Sequence, residues 1–234
     1  MNNLVSIKNL HKHYGSAVAL EDISLEIPKG AIVGLLGPNG SGKTTLIKIL
    51  MGLLSDYQGQ IVIDGVAPGE MANKHIAYLP DKSHIPLWFT VSEAVNFFTD
   101  FYEDFNKKRA YDMLEVMEIP LKKKIKSLSR GMQEKVGLAL VMSRRAKLYV
   151  LDEPIGAVDP ASRDFIMETI LKNYDEESSI LLSSHIISDI ESVLDRAIFL
   201  KQGKIMMDDE VDMIRSENQK SLDELFREVF RNVR

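Results

Sequence analysis

Residues 37 to 44 read Gly37-Pro38-Asn39-Gly40-Ser41-Gly42-Lys43-Thr44, the G-x-x-x-x-G-K-[ST] spacing of a phosphate-binding loop with every required position filled. Such a loop works only between a strand and a helix, so it constrains the fold as well as the ligand. The flanking residues meet that demand. Ala31 to Leu36 is an apolar run too short for a globular helix and suited to a buried strand, while Thr45 to Met51 is helical in pattern and closed by Gly52. The glycines let successive backbone N–H groups converge on phosphate oxygens, and the new helix points its positive end at them. The implied ligand is a nucleoside triphosphate with Mg²⁺. Lys43 would reach the β and γ phosphates and Thr44 would ligate the metal, with Pro38, Asn39, Thr45 and the loop glycines completing the contact.

The rest of the chain supplies an α/β frame for this loop. Leu4 to Leu10 and Leu20 to Ile27 alternate roughly as strands, and Ile61 to Ile63 forms another before the Asp64-Gly65 turn. These suggest an antiparallel edge beside a mostly parallel core. Ile76 to Leu79 is a further strand, stopped by Pro80. From Thr90 to Met142 the spacing of Val91, Val95 and Phe98, then of Tyr111, Leu114 and Val116 to Met117, turns helical, with a break at Pro120. Strands resume at Leu148 to Leu151 and Ile180 to Ser183, separated by a helix over Ser162 to Leu171, and a last pair flanks Gln202-Gly203. At the end, Leu222, Leu225, Phe226, Val229 and Phe230 repeat as one apolar stripe, to be buried on the chain's own core or in a dimer contact.

Two of these strands run into polar residues with chemistry. Leu148 to Leu151 leads into Asp152-Glu153-Pro154, where Asp152 at the strand end can hold the Mg²⁺ shell opposite the loop. Glu153, one residue on, can polarise the water that attacks the γ phosphate. Ile180 to Leu182 leads into Ser183-Ser184-His185, which places His185 at the neighbouring strand mouth as a phosphate-contacting donor.

Composition narrows the setting. No run approaches the roughly 18 apolar residues of a membrane span, and Met1 to Ser6 lacks the regions of a signal peptide, so the expected chain is soluble and reaches any membrane through a partner. The absence of cysteine removes disulfides, thiolate metal sites and cysteine nucleophiles, and fits a reducing compartment. The net charge of −5 and the lack of interleaved aromatic and basic residues argue against nucleic acid. The stretch Lys107 to Lys147 reverses that balance, with 12 basic residues against 4 acidic ones, as a solvated helical face or a surface near anions.

Ser127-Leu128-Ser129-Arg130-Gly131-Met132, before an apparent helix start, makes the resemblance specific. The chain resembles the ATP-binding subunit of ABC transporters, whose Leu-Ser-Gly-Gly-Gln signature is matched at 128 to 132 with Ser129 and Gly131 kept. The likeness spans residues 4 to 205 and includes Tyr14, the loop at Asp81, Asp152-Glu153, Asp159 and His185 in order. It implies the α/β ABC ATPase fold, a P-loop NTPase core with a mostly parallel sheet, an antiparallel β edge and a helical lobe. The chain would be a single domain over 1–234, with the lobe near 86–145 and a short C-terminal helix at 216–234. It also implies ATP hydrolysis with Mg²⁺ in a head-to-tail homodimer or heterodimer that drives a separate membrane-spanning permease. The resemblance assigns Tyr14 to the adenine, Ser129 and Gly131 to the partner's γ phosphate, and Asp159 to the partner's loop.

The departures carry expectations of their own. Asp81 stands where the family has glutamine, and as a shorter, fully charged ligand it should join the metal shell through water or after tighter closure. Arg130 replaces a signature glycine and Met132 its glutamine; the guanidinium can attract the trans phosphate, face solvent or pair with an acid of the partner. Trp88-Phe89 lies where the family docks a permease helix, and either docking or core packing fits the pair. The combination resembles bacterial exporters of the bacitracin-resistance and phenol-soluble-modulin type, which implies a place on the cytoplasmic side of the cell membrane and peptide or amphipathic cargo. The competing class is a soluble ABC ATPase acting on ribosomes or DNA.

Overall fold

Strands that are apolar at nearly every position need cover on both faces. In the computed structural model, which describes residues 3–82, 85–156, 160–172, 174 and 177–231, such strands form the inside of one sheet. In chain order come β1 (Asn3–Tyr14), β2 (Ala17–Pro28), β3 (Ile32–Leu36), α1 (Lys43–Leu50), β4 (Gln58–Ile63), α2 (Glu70–Asn73) and β5 (Ile76–Leu79). The helices α3 (Val91–Phe101), α4 (Lys107–Val116) and α5 (Arg130–Met142) lie between β5 and β6 (Leu148–Asp152). After β6 follow α6 (Pro160–Lys172), β7 (Ser179–Ser184), β8 (Arg196–Lys201), β9 (Lys204–Glu210), α7 (Val211–Asn218) and α8 (Leu222–Phe230).

The large sheet has the order β5-β6-β7-β3-β8-β9, parallel except for β9, which returns along β8 through the tight turn at Gln202-Gly203. Every residue of β3, β6 and β7 is buried. Alternate side chains serve two cores. Val33, Leu35 and Val150 pack with Leu46 and Ile47 of α1 and with the antiparallel strands, whereas Leu36, Leu151 and Leu182 pack with α5 and α6. The expected antiparallel edge is a sheet of its own, β2-β1-β4, laid over the first of these cores.

A bulge in β1 has consequences for function. Val5 and Ile7 point inward, but the register slips between Ile7 and Leu10, with Asn9 at φ 47°. Asn9 Nδ2 donates to Asp22 Oδ1 at 2.9 Å, and its backbone N–H donates to Ser24 Oγ, which holds the kink. Inward positions thereby switch from odd to even numbers, so that Leu10 and Lys12 are buried beyond the bulge while His13 and Tyr14 are exposed.

The helices α3, α4 and α5 are fastened to the sheet through Arg144, just beyond α5. Its guanidinium is buried, forks onto both oxygens of Asp104 at 3.0 and 3.1 Å, donates to the carbonyls of Ile76 and Lys74, and lies 3.9 Å from the centroid of Tyr102. Cutting the side chain back strands a partly buried carboxylate and two carbonyls. Arg144→Ala should therefore lose roughly 3 kcal/mol of stability, read as a lower midpoint in urea. An unchanged midpoint would show that this cluster does not hold the helices to the sheet.

The C-terminal stripe closes on the chain itself. Phe226 and Phe230 of α8 lie with their rings 5.7 and 5.9 Å from that of Phe199 in β8. Ser221 caps the helix, its hydroxyl accepting from the Glu224 N–H while Glu224 reaches back to the Ser221 N–H.

Candidate functional site

Parallel pairing sets the site at one edge of the large sheet. Leu36 at the end of β3 pairs with Ser184, and Asp152 at the end of β6 pairs with Ser183, so the phosphate loop, the acidic pair and His185 leave neighbouring strands side by side. The Gly37 N–H donates to the Ser184 carbonyl at 3.3 Å, and the Gly203 N–H donates to the Ser41 carbonyl at 2.9 Å, tying the loop down from both sides. A Cβ at Gly37 would lie 2.3 Å from the Leu200 carbonyl, and Gly42, at φ 113°, would set one 2.8 Å from that of Ala19. Only glycine lets the loop sit this close to its supports.

Above the loop opens a cavity of about 580 Å³, lined by Tyr14, the residues from Asn39 to Thr45, Asp81, Arg130, Glu153, Gly156 and His185. Its size suits a nucleotide. Lys43 is buried, and its ammonium donates to the carbonyls of Gly37 at 2.7 Å and Pro38 at 3.3 Å. It also lies 3.3 Å from Glu153 Oε1, an ion pair without hydrogen-bond alignment that leaves that buried oxygen without a hydrogen bond. The other carboxylate oxygen, Oε2, is 2.8 Å from His185 Nδ1. Glu153 holds φ 53°, sparsely populated for a residue with a side chain, and the turn swings the carboxylate off the strand and over the loop. Its N–H is fixed by the Ser183 carbonyl and hydroxyl.

Asp152 is almost wholly buried, and its Oδ1 accepts from Ser183 Oγ at 2.5 Å, with a second side-chain hydrogen bond from Thr44. Burial pushes its carboxyl above the ordinary range despite these donors, and the charges of Glu153 and Asp81 act in the same direction. Burial, followed by the same Asp152 and Asp81 charges, pushes the Tyr78 hydroxyl up to about 12. Thr44, Asp81 and Asp152 share the lining of an adjoining cavity. Crowded carboxylates of this kind fit a cation. Among the described residues no cluster of three or more His, Cys, Asp or Glu is arranged to hold a metal.

The remaining expected residues fall into distinct places. Tyr14 is half exposed at the cavity wall, and its ring centroid lies 5.0 Å from the Lys12 ammonium, which Asp56 anchors. Ser129 is the N-cap of α5, accepting from the Met132 N–H at 3.3 Å; neither it nor Gly131 lines the chain's own cavity. Asp159 lies outside the described residues. The aromatic pair divides its roles: Phe89 packs against the core, while Trp88 is 69% exposed and continues through Phe89, Phe97 and Phe101 as a ladder of rings. Sequence reasoning missed Ser183, which braces both acids, and Lys12 beneath Tyr14. The strand register carries the signal for the first; for the second there is none without the bulge.

Fold and site together define a P-loop ATPase with a helical lobe. A family model described as ABC transporter matches residues 20–156. The chain belongs to this family, as an ATP-binding subunit. It is 34% identical over 213 residues to the SkfA peptide export ATP-binding protein SkfE of Bacillus subtilis, covering 88% of each chain. It is also 34% identical over 236 residues to the lantibiotic transport ATP-binding protein SrtF of Streptococcus pyogenes, covering 95% of this chain and 96% of the other. A solved ATP-binding subunit of an ABC transporter superposes with a TM-score of 0.86 at 28% identity, over 96% of this chain and 98% of that one.

Proposed function

We propose that this chain hydrolyses Mg-ATP in sites shared by two copies, or by one copy and a similar ATPase, and that the cycle drives a membrane-spanning permease exporting a peptide or another amphipathic compound. The observation that carries the chemistry is the placement of Glu153, between Lys43 at 3.3 Å and His185 at 2.8 Å, over the phosphate loop. Lys43 neutralises the β and γ phosphates when they arrive, which releases Glu153 Oε1 from its ion pair. That oxygen then accepts the proton of the attacking water, while His185 steadies Oε2. Thr44 and Asp152, with Asp81 nearby, would hold Mg²⁺, which would supply positive charge to offset the phosphates. Tyr14 offers its outer face to the adenine, its inner face being held by Lys12. In the closed pair, Ser129 and Gly131 serve the partner's nucleotide, and Asp159 faces the partner's loop.

The peptide cargo rests on the transport named for SkfE and SrtF. No helix among the described residues is long and apolar enough to cross a membrane. Attachment at the cytoplasmic face falls to the permease, and the exposed rings of Trp88, Phe97 and Phe101 form the apolar surface offered to it. Affinity purification of the tagged chain from detergent-solubilised membranes should recover a polytopic protein. Trp88→Ala combined with Phe101→Ala should lower that yield about tenfold, an expected hot-spot loss, with the urea midpoint as a folding control. Recovery of ribosomes or DNA in an ATP-dependent manner, with no membrane protein, would contradict the transport reading.

A further inference from the structure

We infer that Lys122, Lys123 and Lys126 bind the headgroups of anionic lipids, so that the chain touches the bilayer itself beside the permease. The inference rests on the membrane attachment proposed above and goes beyond it, because the contact needs no second protein. In a chain of net charge −5, residues 122 to 126 carry four lysines and no acid. All four are exposed. Among the described residues none of their ammonium groups forms an ion pair with a carboxylate. Hydrogen bonds from the Thr90 N–H and hydroxyl and, less strongly, the charge of Lys124 hold the Glu93 carboxyl below the ordinary range, so Lys124 is partly answered within the chain. The other three face water.

The backbone under these lysines is fixed. The Val91 and Ser92 N–H groups donate to the carbonyls of Lys123 and Leu121 at 3.1 and 3.0 Å, and those of Ile125 and Lys126 donate to the carbonyls of Phe89 and Leu87 at 2.8 and 3.0 Å. From this seam Phe89 and Ile125 turn into the core, while Leu87, Trp88 and Leu121 stay exposed beside the lysines. Leu121 and Lys122 stand at an exposed turn, closed by the Lys123 N–H on the Pro120 carbonyl at 3.1 Å, a shape that meets a flat surface better than it seats a peptide. Ammonium groups on flexible stems around an indole and two leucines match the level where lipid phosphates lie over hydrocarbon. The negative charge of the whole chain is screened over about 10 Å at ordinary salt, so the local sign decides. Trp88, at the edge of the ring surface offered to the permease, joins the two contacts.

Sedimentation of the full chain with vesicles of phosphatidylglycerol and phosphatidylcholine in equal parts, against vesicles of phosphatidylcholine alone and without any permease, tests this. The mixed vesicles should bind the chain at least about tenfold more tightly, and the difference should vanish at about 1 M salt, where charges are screened within about 3 Å. Lys122→Gln, Lys123→Gln and Lys126→Gln together should weaken that binding about 10²-fold, at about fivefold for each lysine. The urea midpoint and the ATPase rate of the isolated chain should not change, which controls for folding. Trp88 is the only tryptophan, so its emission should shift to the blue with the mixed vesicles and not with the neutral ones. Absence of binding, equal binding to both vesicles, or unaltered binding by the triple variant would overturn the inference. A triple variant that bound vesicles normally but recovered less permease would assign the lysines to an acidic segment of the permease instead. Because the permease is absent from this assay, a failure to bind vesicles would leave the transport reading intact, and that reading fails separately if the affinity purification recovers no polytopic protein.

Discussion

Glu153→Gln should slow ATP hydrolysis by about 10²-fold or more while Mg-ATP binding survives. The substitution keeps the shape and the backbone, including the left-handed turn at φ 53°, and removes only the charge that accepts the proton of water. His185 Nδ1, 2.8 Å from Oε2, can still hold the amide in place, so the loss reports chemistry rather than collapse of the site. Lys43 also loses its counter-charge at 3.3 Å and meets the phosphates without first giving up an ion pair, so affinity for ATP should hold or rise. With binding intact and cleavage blocked, two chains should remain closed around ATP. Size-exclusion chromatography showing only monomer at saturating Mg-ATP would count against the shared site.

Ser129→Arg should also abolish hydrolysis, by about 10²-fold or more, through the loss of a transition-state donor and of site assembly. Its cause differs. Ser129 is not part of the chain's own cavity, so Mg-ATP binding to the monomer should stay within about fivefold of the unmodified value, less than the loss of one charged hydrogen bond. A bulky cation would instead occupy the place of the partner's γ phosphate and prevent closure. Ser129 also caps α5, and its loss costs about 1 kcal/mol, so Ser129→Thr, which keeps a capping hydroxyl, is the control. Normal closure and turnover by Ser129→Arg would remove Ser129 from the site.

The parts of the protein legible in its sequence are those where chemistry or burial dictates residue type. Phosphate binding fixes Gly37, Gly42, Lys43 and Thr44 at set spacing, and burial on both faces makes β3, β6 and β7 read as unbroken apolar runs ending at the loop, at Asp152 and at Ser184. What depended on pairing was hidden. β1 and β2 run past their apolar alternation because the hairpin continues to the pair Tyr14 and Ala17, and Lys12 reaches the ring of Tyr14 only through the bulge at Asn9. Ser183 looks like the polar end of a strand until the register sets it beside Asp152. α7 is short, with Val211 and Ile214 as its buried residues, too few to announce a periodicity. Arg130 could be read from sequence as lying beside the partner's phosphate, facing solvent or pairing with a partner's acid; in the structure its side chain is exposed and its Nε donates to Glu134 of its own chain, a pairing that the sequence reading did not weigh. Trp88 and Phe89 divided two readings because adjacent residues face opposite ways, one to solvent and one to the core.

The central claim is that each ATP is cleaved between the loop of one chain and the signature of the other, and mixing two inactive variants measures it most directly. In a dimer of Ser129→Arg with Lys43→Ala, one site carries both changes and the other carries neither. Each variant alone should be inactive, and the mixture should regain hydrolysis in proportion to the mixed dimers formed, up to about half the unmodified rate if one intact site can fire, since hydrolysis needs all of its groups at one site. A Ser129→Arg chain that hydrolyses ATP alone at the unmodified rate, with the mixture giving only the average of the two variants, would contradict the shared site and leave a self-contained P-loop ATPase.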